Sequence, residues 1–335
     1  MSAAVIWWDR HQVLLYVVAI GVGAAVGWLW PVTAPLWAGL TTPVLGLLLF
    51  ATFLGVPLIE VGRAFRDARF LTTVLVVNFL VVPAVAFGLS RFVADDQGLL
   101  IGVLLVLLTP CVDYVIVFTG LAGGARARLL AATPLLMLLQ IVLLPGYLWL
   151  FAGGDAVADI ELLPFLEAFL FLIVIPLSAA AVVQAIARRH RAGRAIERWF
   201  AGAMVPLMMA TLAIVVGSQI GGVGSEALTL LRVVPLYVAF LVVMLLVGLA
   251  AGRIVRLPIP QTRAIVFSGA TRNSLVVLPL ALALPAALAI APLAVVTQTL
   301  VELVGMVIFV SLVPRLTGGQ AGQSAASRGD VPAAR

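Results

Sequence analysis

The chain has 335 residues, of which 64% are hydrophobic and only 10% are charged, and its mean hydropathy is +1.22. This composition excludes an ordinary water-soluble fold, because repeated apolar stretches of this kind indicate transmembrane helices. The net charge of +6 rests on arginine alone, and the arginines lie between the apolar stretches instead of forming one patch. That distribution argues against binding to nucleic acid. One cysteine and two separated histidines, His11 and His190, exclude an intramolecular disulfide and predict neither a metal site nor another cofactor.

The apolar stretches predict ten spanning helices joined by short loops. They cover about residues 12–30, 36–59, 70–93, 97–122, 128–151, 162–187, 199–220, 229–252, 262–285 and 288–314. The first stretch is too long for a signal-peptide core and no clear cleavage site follows it, so we expect it to be retained. Residues 1–316 are predicted to form one transporter domain. Residues 317–335, rich in Gly, Ser, Ala and Arg, are predicted to form a disordered cytoplasmic tail.

The arginines predict the orientation of these spans. Only Arg91 and Arg232 fall in loops on one side, and Arg272 lies within a span. The loops and ends on the other side carry Arg10, Arg63, Arg66, Arg69, Arg126, Arg128, Arg188, Arg189, Arg191, Arg194, Arg198, Arg253, Arg256, Arg263 and the remaining C-terminal arginines. Since basic residues favour the cytoplasmic side, both termini are predicted to be cytoplasmic in a multi-pass cell-membrane protein.

The ten spans divide into two sets of five, at about residues 10–151 and 160–314. An odd number of spans in each half forces opposite orientations, which predicts two inverted repeats. Helix 4 is interrupted at TPCVD and helix 9 at SGATRNS. Paired interruptions at corresponding positions point to a binding site near the membrane midplane, where the two broken helices cross.

The interruption of helix 4 combines several unusual residues in one apolar stretch. Pro110 removes a backbone donor and disfavours helix at Thr109, and the chain's single cysteine, Cys111, follows directly. Asp113 would cost several kcal/mol if it were exposed to hydrocarbon. Such a break is tolerated only where protein or a water-filled cavity surrounds it. The segment is therefore a candidate transport site.

Asp113 and Arg272 each lie in one of the two interruptions, so a crossing of the helices would bring opposite charges together. One interpretation is a structural ion pair that fixes the crossing. The other is a gating or coupling pair, in which Arg272 supplies a fixed positive charge where related transporters hold a cation. The sequence leaves both open.

Cys111 and Glu302 are the other candidate site residues. A thiol at the start of a half-helix favours the thiolate, which suits a thiophilic substrate, although a lone buried cysteine also serves as a small apolar side chain. Glu302 lies mid-helix in TQTLVELVGMVIFV, with Gln298 four residues earlier on the same helical face. An intramembrane carboxyl often relays protons, and the alternative is a hydrogen-bonded structural group.

The segments LLTPCVDYVIVF, FSGATRNSLVVLPLAL and QTLVELVGMVIF resemble the bile acid/arsenite/riboflavin transporter superfamily, in particular its arsenite efflux permeases. The resemblance covers nearly the whole chain. It places the permeases' Pro-Cys pair at Pro110 and Cys111, their helix-9 asparagine at Asn273 and their helix-10 glutamate at Glu302. It implies that the cysteine and the glutamate act in arsenite transport. We expect Cys111, Asn273 and Glu302 to bind the substrate, with supporting roles for Thr109, Pro110, Thr271, Ser274 and Gln298.

Two charges depart from that pattern. Asp113 stands where the permeases usually carry a small uncharged residue, and Arg272 enters a break that is usually uncharged. The bile acid type of transporter carries acidic and amide groups for sodium in helix 9, whereas no Asp or Glu occurs between residues 262 and 285 here. The sequence therefore favours proton coupling over the usual sodium site.

The leading hypothesis is a secondary transporter, not an enzyme, that confers arsenic resistance by exporting arsenite or antimonite in exchange for protons. The expected partners are membrane lipid, protons and a small metalloid or anion, and the oligomeric state is left open. The alternative is a sodium- or proton-coupled transporter of an organic anion, with Arg272 as the anion-binding group. A membrane sensor without transport activity is a third reading, for which the short loops offer no partner domain.

Overall fold

The structure is a computed structural model that describes residues 3–55, 67–112, 114–153 and 170–318. Its helices are α1 (Ala3–Leu29), α2 (Ala34–Gly55), α3 (Ala68–Val76), α4 (Val82–Ser90), α5 (Gln97–Leu107), α6 (Tyr114–Leu121), α7 (Arg126–Ala152), α8 (Ile175–Ala187), α9 (Arg191–Leu231), α10 (Val233–Ile254), α11 (Ile259–Ala270), α12 (Ser274–Leu282) and α13 (Ala291–Leu316). A π-helical turn, Val77–Val81, joins α3 to α4, and a second one, Leu170–Val174, precedes α8. The described ranges contain helices and connecting turns but no β-strand.

Six helical stretches in the described part of the chain are long and apolar enough to cross a membrane. They are Pro31–Gly55, Ala68–Val93, Arg126–Ala152, Arg191–Ser218, Leu228–Ile254 and Ala291–Leu316, while shorter apolar helices include Gln97–Leu107 and Ile175–Ala187. Many large apolar side chains on these helices remain exposed, among them Val142 and Ile254. Exposed apolar surface on this scale is expected of helices that face lipid.

The helices pack as two groups. In the first group, α1 and α2 both lie along the long helix α9, and α8 packs against α2 and α9. In the second group, α10 packs against α11 and α13, while α5 packs against α4, α7 and α13. We call the first group the panel and the second the core. Contacts of α9 with α13 and of α2 with α12 join them.

The two interruptions predicted from sequence both lie within the core. The first separates α5 from α6 and the second separates α11 from α12. Every residue of α5 from Gly98 to Leu107 is buried, and so is every residue of α11 from Gln261 to Ala270. The half-helices that end at the breaks are thus enclosed by other helices, as a broken helix in a membrane requires.

The π-helical turn Val77–Val81 shows how the core compensates for its prolines. Pro83 has no N–H and cannot bond the carbonyl of Phe79, four residues earlier. The hydroxyl of Tyr147, on α7, donates to that carbonyl at 2.5 Å. The irregular turn is thereby fixed, and it places Asn78 in the interior, fully buried.

Helix boundaries differ from the sequence expectation mainly in α1 and α9. Helix α1 begins at Ala3 instead of near residue 12, and α9 runs from Arg191 to Leu231, well beyond the predicted 199–220. Both extensions contain polar residues that a hydropathy pattern assigns to loops, although polar residues also form helix outside a membrane. Helix α13 ends at Leu316, where the predicted tail begins, and residues 319–335 lie outside the described residues.

Candidate functional site at the helix crossing

The two breaks meet as two short extended segments that form one antiparallel β-bridge. The N–H of Cys111 donates to the carbonyl of Thr271 at 3.2 Å, and the N–H of Asn273 donates to the carbonyl of Thr109 at 2.8 Å. Pro110 and Arg272 face each other across this bridge. The C-termini of α5 and α11 and the N-termini of α6 and α12 therefore converge on one buried place in the core.

The two breaks leave three carbonyl groups without their usual helical donors. In a continuous helix Leu107 would accept from Cys111, Ser268 from Arg272 and Gly269 from Asn273. The N–H groups of Cys111 and Asn273 are bound across the bridge, and that of Arg272 donates to Glu302. The carbonyls of Leu107, Ser268 and Gly269 consequently need other donors.

The side chain of Arg272 supplies those donors. Its Nη2 donates to the carbonyls of Ser268 and Gly269 at 2.6 and 2.8 Å, and its Nη1 lies 3.4 Å from the carbonyl of Leu107. The Oδ1 of Asn78 accepts from Nη2 at 2.9 Å, while the Asn78 amide donates to Ser268 Oγ at 3.0 Å. Arg272 is fully buried, with its guanidinium 5.7 Å from the centre of the Phe240 ring. It caps two helix C-termini, whose partial negative charges favour a cation.

Glu302, on α13, lies on the other side of the bridge. Its Oε2 accepts from the Arg272 main-chain N–H at 2.7 Å and from Gln298 Nε2 at 2.5 Å. Its Oε1 lies 2.5 Å from the hydroxyl of Tyr114, at the start of α6. Three donors thus surround a carboxyl that is 1% exposed. The contact with Gln298 agrees with the prediction that both residues share one helical face.

Asn273 and Ser274 begin the second half-helix. The Asn273 Oδ1 accepts from the Val276 N–H at 3.3 Å and so caps α12, while Thr299 Oγ1 donates to Ser274 Oγ at 2.8 Å. Thr109 and Thr271 are likewise buried, and their hydroxyls donate to carbonyls one turn earlier in their helices. These side chains stabilise the breaks from within.

Three buried polar atoms at the crossing have no hydrogen-bond partner among the described residues. They are Arg272 Nε, Asn273 Nδ2 and Gln298 Oε1. Buried polar atoms are nearly always paired, so each of these needs an explanation. Together they offer two donors and one acceptor at a place where four helix ends meet.

Cys111 is fully buried in the bridge and precedes the first turn of α6. Asp113 lies outside the described residues, so its predicted pairing with Arg272 remains a prediction. Among the residues that the structure describes, no carboxylate forms a salt bridge with the Arg272 guanidinium, and Glu302 contacts its main-chain nitrogen instead.

A large cavity opens between the panel and the core beside α6, the half-helix that follows the first break. Its volume is about 1110 Å³, and α2, α6, the start of α7 and α9 line it. The lining is mainly apolar, with Arg126 and Glu197 as its charged residues. The sequence predicts that this end of the molecule is cytoplasmic. On the other side, the space between panel and core beside Ser274 and Thr299 is only about 10 Å³.

Sequence reasoning missed two residues that complete the site, Asn78 and Tyr114. Asn78 is a lone amide within the apolar stretch VLVVNFLVV, and a buried amide in such a stretch needs a polar partner. Tyr114 follows the interruption TPCVD directly. Both signals were visible, but only the packing shows that they reach Arg272 and Glu302.

The sodium bile acid symporter family model matches residues 42–225, which is more than half of the chain. The match includes the break that carries Cys111 and ends before the one that carries Arg272. A search of curated proteins found no match. The matched region, together with the apolar helices and the broken pair, shows a multi-pass membrane transporter. The chain belongs to the sodium bile acid symporter family.

Proposed function

We propose that this protein is a secondary active transporter that exports arsenite, and also antimonite, in exchange for protons. The observation that carries the proposal is the environment of Glu302. Its carboxyl is buried beside both helix breaks and is held by groups that serve either of its protonation states. Coupling of proton binding to helix movement requires a proton site in contact with the backbone that moves, and Glu302 contacts the bridge.

The ionised carboxylate accepts from Tyr114, from Gln298 and from the Arg272 N–H. When Glu302 is protonated, its O–H needs an acceptor. The Tyr114 oxygen can accept that proton, because its own hydroxyl lies 3.0 Å from the carbonyl of Arg272 and can donate there instead. The Gln298 amide can also turn, because its Oε1 is unpaired among the described residues.

The carbonyl that receives the Tyr114 hydroxyl belongs to the bridge between the two breaks. Loading Glu302 with a proton therefore changes a hydrogen bond on the backbone that joins α11 to α12. Because of this link, a proton on Glu302 would bind more tightly in one arrangement of the crossing than in the other. A transporter that couples protons to substrate needs such a difference in affinity.

Cys111 is the group that we assign to the metalloid. Its sulfur is a soft ligand for trivalent arsenic, and its main chain is bonded to the same bridge. The unpaired atoms of Arg272, Asn273 and Gln298 supply hydrogen-bond donors and an acceptor for the hydroxyl groups of arsenous acid. Asp113 and Arg272 are proposed to tune the opening of the crossing.

Alternating access follows from the division into panel and core. We propose ten spanning helices in two inverted repeats, residues 10–151 and 160–314, with both termini in the cytoplasm. We assign the structure to an inward-open state, because the large cavity lies on the predicted cytoplasmic side while the space beside Ser274 and Thr299 measures only about 10 Å³. Movement of the panel would close the first and open the second.

A second candidate function is transport of an organic anion, and the cavity supports it. A volume of about 1110 Å³ far exceeds what arsenite requires, and pockets for organic ligands combine an apolar lining with few polar groups. Arg126 lines this cavity and supplies a positive charge for an anionic group. This reading predicts that transport does not need the thiol of Cys111.

The test is arsenite uptake into energised everted membrane vesicles. We expect accumulation by the wild type that collapses with a protonophore and in both Cys111→Ser and Cys111→Ala. Thr133→Ser is the matched control, because Thr133 is buried in α7 and its hydroxyl donates to the carbonyl of Leu130 in the same helix. Failure of well-folded wild type to accumulate arsenite would refute the substrate. Unchanged uptake in both cysteine variants would refute the role of the thiol.

A further inference from the structure

Four oxygen atoms surround the Arg272 guanidinium, and together they have the chemistry of a cation-binding site. Three of them are the carbonyls that the breaks release from α5 and α11, and the fourth is Asn78 Oδ1. Carbonyls at the C-terminal ends of half-helices are the groups that bind coupling ions in transporters. We call these four oxygens the carbonyl cage.

The cage does not fit a sodium ion while Arg272 is present. Nη2 lies 2.6 to 2.9 Å from three of the four oxygens, so it takes the position that an ion would need. A second positive charge beside a fully buried guanidinium would also be strongly repelled. The helices that form the second break carry no acidic residue, and Glu302 binds the main-chain N–H of Arg272 instead of joining the four oxygens.

We propose that Arg272 is a tethered cation that replaces a mobile coupling ion at the crossing. The protein then binds no sodium in the carbonyl cage, although its family is named for sodium symport. Removal of the side chain leaves four oxygens with fewer donors and turns the cage into a site for a small monovalent cation. This goes beyond the proposed function, because the readout is ion binding and does not depend on which substrate is carried.

The experiment uses the purified full-length protein in detergent. The melting temperature and the binding of radioactive sodium are measured for the wild type, Arg272→Ala and Arg272→Lys. Salts of sodium, guanidinium and choline are compared at about 20 mM, far below the molar range in which guanidinium denatures proteins. The double variant Arg272→Ala/Asn78→Leu is the matched control, since it removes one oxygen of the cage.

We expect the wild type to show no saturable sodium binding and the same melting temperature in all three salts. Arg272→Ala should melt earlier, and guanidinium or sodium, but not choline, should restore at least half of the loss by binding the native state. The double variant should lose this rescue. Arg272→Lys keeps a tethered charge and should remain indifferent to sodium.

Saturable sodium binding by the wild type would overturn the inference whatever the variants do. A folded Arg272→Ala protein that responds to neither cation would overturn it as well. If Arg272→Ala does not fold, sodium binding by the wild type and by Arg272→Lys still tests the inference. Saturable binding by either protein would contradict a cage that is filled by the tethered charge.

Discussion

The hydroxyl of Tyr114 provides the sharpest test of how Glu302 is held. In Tyr114→Phe the ring and its edge-to-face contact with Phe118 are kept, and the contacts of the hydroxyl with Glu302 and with the Arg272 carbonyl are lost. A hydrogen bond to a charged group contributes about 1.5–3 kcal/mol, whereas one between neutral groups contributes about 0.5–1.5 kcal/mol. The destabilisation by this substitution should therefore depend on the charge of Glu302.

The expected result is a penalty that grows with pH. At high pH an ionised Glu302 loses a donor, and we expect a cost of about 2 kcal/mol in the free energy of unfolding. At low pH a neutral carboxyl loses a weaker partner, and the cost should fall to about 1 kcal/mol. The melting temperatures of wild type and variant, measured between about pH 5 and about pH 9, give the difference directly.

Tyr237→Phe is the matched control. Tyr237 is also buried, and its hydroxyl donates to the carbonyl of Ala294 at 3.0 Å, a group that does not titrate. Its penalty should be the same at every pH. The reasoning fails if the Tyr114→Phe penalty is flat across this range, or if the two tyrosine variants show the same pH dependence.

Three further outcomes are expected. Glu302→Gln should retain the fold but make substrate transport insensitive to an imposed pH gradient; a gradient response equal to that of the wild type in vesicles would contradict proton coupling through this residue. Gly102→Val should destabilise the protein by about 1–3 kcal/mol, because a Cβ there would lie 2.7 Å from the Ala291 carbonyl oxygen. Gly146→Ala is the control, since the space around Gly146 is open, and its melting temperature should be unchanged or higher. Arg232→Gln should lower the melting temperature slightly at pH values above the ordinary pKa of Asp95, because Arg232 donates to both Asp95 oxygens at 2.6 and 2.8 Å and lowers the pKa of that carboxyl from 3.8. The contribution is lost as pH falls through the lowered pKa, so an effect that persists below it would contradict this.

Part of the site could be predicted because membrane burial makes some residues conspicuous. Pro110 removes a backbone donor and Arg272 and Glu302 place charges in apolar stretches, so each stands out without any knowledge of its neighbours. The four-residue spacing of Gln298 and Glu302 is a property of one helix, and the structure shows their contact. The length of α9 was underestimated because hydropathy marks membrane spans and does not mark where a helix ends.

The partners of these residues could not be predicted in the same way. Opposite charges in the two breaks suggested that Asp113 pairs with Arg272. In the described part of the structure the guanidinium binds uncharged oxygens, one of them 194 positions away on Asn78. The three carbonyl oxygens among them are free because the N–H groups of Cys111 and Asn273 bind across the bridge and that of Arg272 donates to Glu302. That rearrangement depends on two distant segments meeting in one register, which no local pattern encodes.

The sequence by itself determined the membrane class, the two helix breaks and the intramembrane charges, because hydrocarbon imposes strict rules on composition and on backbone hydrogen bonding. Only the tertiary structure decided what those charges touch. It placed the Arg272 guanidinium at the C-termini of α5 and α11 and surrounded Glu302 with three donors. The physical reason is that a buried break leaves backbone groups without helical partners, and those groups must bind the other break or a neighbouring helix.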